Sequence, residues 1–232
     1  MSCILHIEST TTVCSVALSQ DGGCLFEQAS YDGPQHNILL APYAAEALSF
    51  ADSHAIPLDA VAVSCGPGSY TGLRIGVSTA KGLCYGRQVP LIAVDTLRLL
   101  CVPVLLYHDL PDEALLCPML DARRMEVYCA VYDRALGVRR KTEATVVTAD
   151  SYAEFLDAGP VYFFGNGAAK CREVLNHPNA RFIDGIVPLA KNMIPLAEMA
   201  VARQQFADVA YFEPFYLKQF VTTKPKNLLN GL

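Results

Sequence analysis

Apolar and polar positions alternate in short runs at the start of the chain, and they predict a three-strand meander at residues 3–8, 13–19 and 24–30. The turn between the last two is Asp21-Gly22-Gly23, where glycine supplies the positive φ of a tight hairpin. A helix-permissive stretch follows at 35–51, with Ile38, Ala41, Ala45 and Leu48 near helical spacing; Pro42 is expected to kink it or delay its start. An apolar run of strand length at 58–65 leads into the glycine-rich GPGSYTGLRIG at 66–76 and a helical pattern to about Tyr85. A strand at 90–94 and an apolar helix at 96–107 complete this half.

The second half has a similar beat. Strands are expected at 115–120, 125–132 and 141–147, then a helix opened by a Ser151/Glu154 capping box. A buried strand at 161–164, a short helix at 168–175 and a helix at 192–206 follow, the last capped by Asn192 with Pro195 in its first turn. Strand-strand-strand-helix-strand-helix thus occurs twice. That order predicts an α/β protein of two related subdomains, residues 1–108 and 109–232, each a mixed sheet flanked by helices. It is the order of the ribonuclease H-like halves of an actin-like ATPase fold.

Composition narrows the function. The chain has 232 residues, 52% hydrophobic and 18% charged, with a net charge of -5, which excludes a disordered polymer. No apolar run approaches the roughly 20 residues of a spanning helix, so no membrane partner is expected. No sizeable basic block is present, so the chain is not expected to grip RNA alone. Nine cysteines, an odd number with no CxxC, mostly sit in apolar neighbourhoods such as Ala62-Val63-Ser64-Cys65 and read as reduced, buried thiols. No charged leader precedes an apolar segment, so no signal peptide and a cytoplasmic location are expected.

The glycine-rich segment fails three familiar patterns. It lacks the Lys-Ser or Lys-Thr of a phosphate-binding P-loop, its third glycine comes one residue late for a dinucleotide fingerprint, and Ser69 is wrongly spaced for a nucleophile elbow. Glycines at 72, 76 and 82 inside a helix each cost about 1 kcal/mol relative to alanine, which some packing gain must offset. Gly72 and Gly76, with Ala80 beyond, form a small-residue strip that either packs on its own chain or meets a second protein. The five histidines, at 6, 36, 54, 108 and 177, include no metal-binding pair; His36 reads as a cap or contact residue at a helix start. Asp121, Arg123 and Arg124 read as a solvated hairpin turn, and Lys224-Pro225-Lys226 as a tail.

Four segments together carry a resemblance: ILHIESTTTVCSVAL, SCGPGSYTGLRIGVSTAKGL, LDARRMEVYCAVY and FYLK. In these the chain resembles the TsaB (YeaZ) family of bacterial tRNA threonylcarbamoyladenosine biosynthesis proteins. The resemblance implies an actin-like fold and a non-catalytic accessory subunit that binds TsaD, which transfers threonylcarbamoyl to the adenosine beside the tRNA anticodon. It also implies assembly with the ATPase TsaE, a homodimer when alone, and contact with tRNA only through the complex. The helices at 35–51 and 69–85 are then the contact surface, with His36, Leu39, Ser69, Tyr70, Thr71, Gly72, Arg74 and Gly76 as interface residues.

TsaD proteins carry an H-x-x-x-H metal pair in the corresponding helix. Here His36 is followed four residues later by Leu40, and one imidazole is no such pair, so no metal is expected. The turn Glu8-Ser9-Thr10-Thr11-Thr12 lacks the glycine with which actin-like kinases bring amides to phosphate, so no cofactor is expected. The alternatives are an actin-like kinase or ATPase with a divergent phosphate loop, and an O-sialoglycoprotein endopeptidase-like peptidase.

Overall fold

The computed structural model describes residues 2–33 and 35–218, and within them two five-stranded sheets repeat one topology. In the first, β1 (Cys3–Glu8), β2 (Cys14–Gln20) and β3 (Gly23–Ser30) form an antiparallel meander. β1 pairs in parallel with β4 (Ala60–Gly66), and β4 with β5 (Leu91–Asp95), giving the order β3-β2-β1-β4-β5. The second sheet joins β6 (Leu115–Asp121), β7 (Glu126–Tyr132) and β8 (Val138–Val146) antiparallel, then β9 (Val161–Phe164) and β10 (Ala180–Ile183) parallel. Its order, β8-β7-β6-β9-β10, matches the first strand for strand and sense for sense. This is the doubled α/β architecture of the actin-like class.

Helices α1 (His36–Ser53) and α2 (Tyr70–Arg87) cover one face of the first sheet. Alternation in β1 sends Cys3, Leu5 and Ile7 to that side, where they meet Leu40, Ala44 and Ala47 of α1 and Val77, Ala80 and Cys84 of α2. On the opposite face Ile4, Ala60, Ala62, Ile92 and Val94 pack with Leu99 of α3 (Thr96–Tyr107) and with Met193 and Ala197, at the start and middle of α5 (Ile194–Ala202). The other side of α3 presents Leu97, Leu100, Cys101 and Val104 to Leu116, Leu120 and Phe164 of the second sheet. After α5 the chain runs back along the first sheet. The Ala207 amide donates to Leu91 O (2.8 Å) and the Phe215 amide to Cys65 O (2.7 Å).

Several local expectations change. α1 starts at His36 and continues through Pro42, so its start is not delayed. No capping box forms at α4 (Ala153–Leu156): Ser151 Oγ accepts from the Thr148 amide (2.7 Å), and Arg140 takes the Glu154 carboxylate (2.7 Å). The helix expected at 168–175 is a 3-10 turn, Ala169–Cys171. Asn192 lies inside a second 3-10 turn, Ala190–Met193, rather than capping α5, which ends at Ala202. β10, a four-residue edge strand, had not been anticipated. Seven of the nine cysteines are buried, and all nine are free thiols. The Lys224-Pro225-Lys226 tail lies outside the described residues. Among the described residues no helix is long and apolar enough to cross a membrane.

Candidate functional site

The start of α2 is built by close backbone approach. The Ser69 amide donates to Thr10 O (2.7 Å), and the Ser69 hydroxyl caps the helix by accepting from the Gly72 amide (3.3 Å). Ser9 Oγ donates to Gly72 O (2.9 Å), and a Cβ on Gly72 would fall within the van der Waals shell of the Ser9 carbonyl oxygen. A Cβ on Gly76 would collide with Ser9 Oγ. Both glycines are buried. The strip therefore seats α2 on the loop leaving β1, which is the own-chain packing that was one of its two readings.

The other expected interface residues divide. His36 also turns inward: it is buried, with Nε2 3.1 Å from Val13 O, so it pins the start of α1 to the loop before β2. Leu39 is half-buried against the first core. Ser69, Thr71 and Arg74 are exposed. The half-buried Tyr70 ring lies 4.7 Å from the Tyr216 ring and under the Arg74 guanidinium (5.7 Å).

The face of α1 and α2 that does reach solvent carries residues that sequence reasoning missed. α1 exposes Ile38 (63%), Ala41, Pro42, Ala45 and Ser49; α2 exposes Ser78, Gly82, Tyr85 (76%) and Gly86. Among the described residues no atom beyond their own helix lies within 4 Å of a Cβ built on Gly82 or Gly86. The two helices are tied near their C-termini by Arg87, whose guanidinium grips Asp52 through two bonds of 2.9 and 2.7 Å. The sequence signal was the four-residue spacing of Ser78, Gly82 and Gly86, one strip around the helix from the one first singled out.

Between the two sheets lies a cleft of about 580 Å³, lined by Thr10, Thr12, Ser69, Asp121, Asn166 and Lys218 among others. Glu8, which does not line the cleft, is wholly buried behind Thr10, its Oε1 accepting from the Thr10 amide and hydroxyl (2.5 Å each). Burial raises the Glu8 carboxyl above the usual carboxylate range, with hydrogen bonding from Ser64 and Thr10 pulling the other way. Asp121, at the rim, is held by Lys170 and by the Arg123 amide (3.0 Å). These residues do not fit a metal-bound nucleotide: one nearby carboxyl is sealed beneath Thr10, the other is committed to a lysine, and hydroxyls replace a glycine loop. Among the described residues no group of three His, Cys, Asp or Glu could hold a metal ion. Residues 216–218 cross the cleft, Tyr216 against Tyr70 and Lys218 paired with Glu126 of β7.

Comparison with known proteins bears on this site. The family model for TsaD, tRNA N6-adenosine threonylcarbamoyltransferase, matches residues 11–229. The tRNA threonylcarbamoyladenosine biosynthesis protein TsaB of Escherichia coli (strain K12) is 29% identical over 95% of this chain and 96% of its own length. The protein of the same name from Bacillus subtilis (strain 168) is 29% identical over 74% of each chain. The solved structure of YeaZ from Pseudomonas aeruginosa covers 94% of this chain and 100% of its own, at 25% identity and a TM-score of 0.72.

Proposed function

Since the chain belongs to the TsaB (YeaZ) family of tRNA threonylcarbamoyladenosine biosynthesis proteins, within the wider TsaD family, we propose that it is a non-catalytic cytoplasmic subunit that binds and supports a TsaD partner. The observation that carries this reading is the pairing of two features. The cleft has no free carboxylate or metal-binding cluster among the described residues, whereas the α1–α2 face leaves Ile38 and Tyr85 in solvent beside glycines with open space above them. Small residues four apart let a second helix approach closely, and the flanking apolar side chains supply area to bury. The same face pairs two copies when TsaD is absent, and TsaE and tRNA join through TsaD.

Reconstitution tests the reading. TsaD, TsaE and the threonylcarbamoyl-adenylate synthase are expected to modify tRNA only when this chain is added, and the chain alone to hydrolyse no ATP. Full modification without it would refute the role. Gly82→Leu is expected to weaken TsaD binding at least tenfold while its unfolding midpoint is no lower than that of the wild type; wild-type affinity would move the interface elsewhere.

A further inference from the structure

A second cavity, of about 380 Å³, lies away from both the cleft and the α1–α2 face, between the edge of the first sheet and the β8 side of the second. Its cationic lining comes from three separate elements: Arg98 on α3, Lys141 on β8 and Arg203 just beyond α5. These three have no ion-pair partner among the described residues, and neither have Arg74, Lys81, Arg123, Arg124 and Arg181, but these five do not line this cavity. The Arg98 guanidinium is steadied over the Tyr132 ring (5.8 Å). Among the described residues Asp95 is the only carboxyl of the lining, and its Oδ1 already accepts from the Arg98 amide (2.9 Å) as the cap of α3. Leu196 and Met199 of α5 supply an apolar wall.

In a chain of net charge -5, three unpaired cations converging on one concavity call for a counter-charge. Three cations against one carboxylate leave an excess that matches a phosphomonoester, which carries about −1.5 to −2 at neutral pH. The volume falls in the range of small-molecule sites, about 300–1,000 Å³, and an apolar wall with a few converging polar groups is the usual makeup of such a site. We propose that this cavity binds a small organic phosphate, its phosphoryl group held by Arg98, Lys141 and Arg203 and its carbon skeleton laid against Leu196 and Met199. Arginine forks match phosphate oxygens in pairs, and the lysine adds a point charge. Because the cations come from different elements, an occupied cavity ties β8 to α3 and to the segment beyond α5.

Phenyl phosphate, titrated by calorimetry in low-salt buffer, is the probe. It is expected to bind saturably, more tightly than inorganic phosphate and in competition with it, while phenol does not bind. The double variant Lys141→Gln/Arg203→Gln is expected to lose at least tenfold in affinity with an unchanged melting temperature, and Arg123→Gln, at the other cleft, to bind as wild type. Absence of saturable binding, equal binding of phenol, or undiminished binding by the folded double variant would overturn the proposal. None of these residues lies on the α1–α2 face, so the outcome is independent of the TsaD reading.

Discussion

Gly72 and Gly82 stand ten residues apart on one helix and are glycines for opposite reasons. At Gly72 the carbonyl of Ser9 occupies the place a Cβ would need, and it is backbone, so it cannot swing aside. Gly72→Ala is therefore expected to destabilise by about 1–3 kcal/mol, the usual range for an overpacked core. At Gly82 a Cβ enters open space, and alanine's better helix propensity should stabilise the isolated protein by about 1 kcal/mol. Urea unfolding of the two single variants checks both signs; equal effects would mean that the helix face has been misassigned. The spacing of glycines at 72, 76 and 82 was legible in the sequence, and so was its need of a compensating gain. Which strip faces inward was not, because that depends on the loop after β1, sixty residues earlier. His36 shows the same limit: read as a cap or contact residue, it proves to be a buried tether to Val13.

At the scale of elements, β1 explains why alternation is readable and what it conceals. Its residues 3–8 were placed from pattern alone, but the strand is buried on both faces, and one face carries His6 and Glu8 with Ile4. His6 Nε2 lies 2.8 Å from Ser19 Oγ, Nδ1 has no partner among the described residues, and burial pushes the imidazole down to about 3. The unfolded chain thus takes up a proton below about pH 6.5 that the fold refuses until about pH 3. His6 contributes stability that is present above pH 6.5 and lost as the pH falls through that window. Glu8 has the opposite sign: with its folded value raised above 4.5, it favours the fold in acid and costs stability as pH rises through its own window. Each sloping window is worth up to about 1.4 kcal/mol per pH unit. Glu8→Gln keeps the acceptor for Thr10 and removes the buried charge. It is expected to be more stable than wild type at pH 7 and equal to it well below pH 4.5. Unfolding midpoints from pH 3.5 to 8 test this, and a less stable variant at pH 7 would contradict it. Elements defined by long-range pairing were the ones missed. The four residues of β10 become a strand only because β9 is beside them, and the capping-box residues of 151–154 were claimed by Thr148 and Arg140.

For the whole molecule, the repeated element order was visible because turns and apolar runs are local, whereas the distribution of helices over the two sheets was not. α3 comes from the first half of the chain, yet it gives Leu97, Leu100 and Val104 to the second sheet; α5 comes from the second half, yet with Met193 it closes the far face of the first. The segment after α5 reinforces this through Ala207 on Leu91 and Phe215 on Cys65, and Gly66 must be glycine because a Cβ there would lie 2.6 Å from Phe215 O. The two sheets thus share their cores, and unfolding either one uncovers apolar surface of the other. A single cooperative transition is expected, with matching calorimetric and van't Hoff enthalpies. A fragment of residues 1–108 should not reach the native state alone, since Ile4, Ala62, Ile92 and Val94 would lose α5, and the second-sheet side of α3 would stand in water. Such a fragment should show far-UV helicity with poorly dispersed amide resonances, the pattern of a chain that has collapsed without fixed packing. Adding residues 109–232 in trans should then restore dispersion. A native-like spectrum from the first fragment alone would mean that α3 and the first sheet close without α5, and that the exchange of helices is not what joins the two halves.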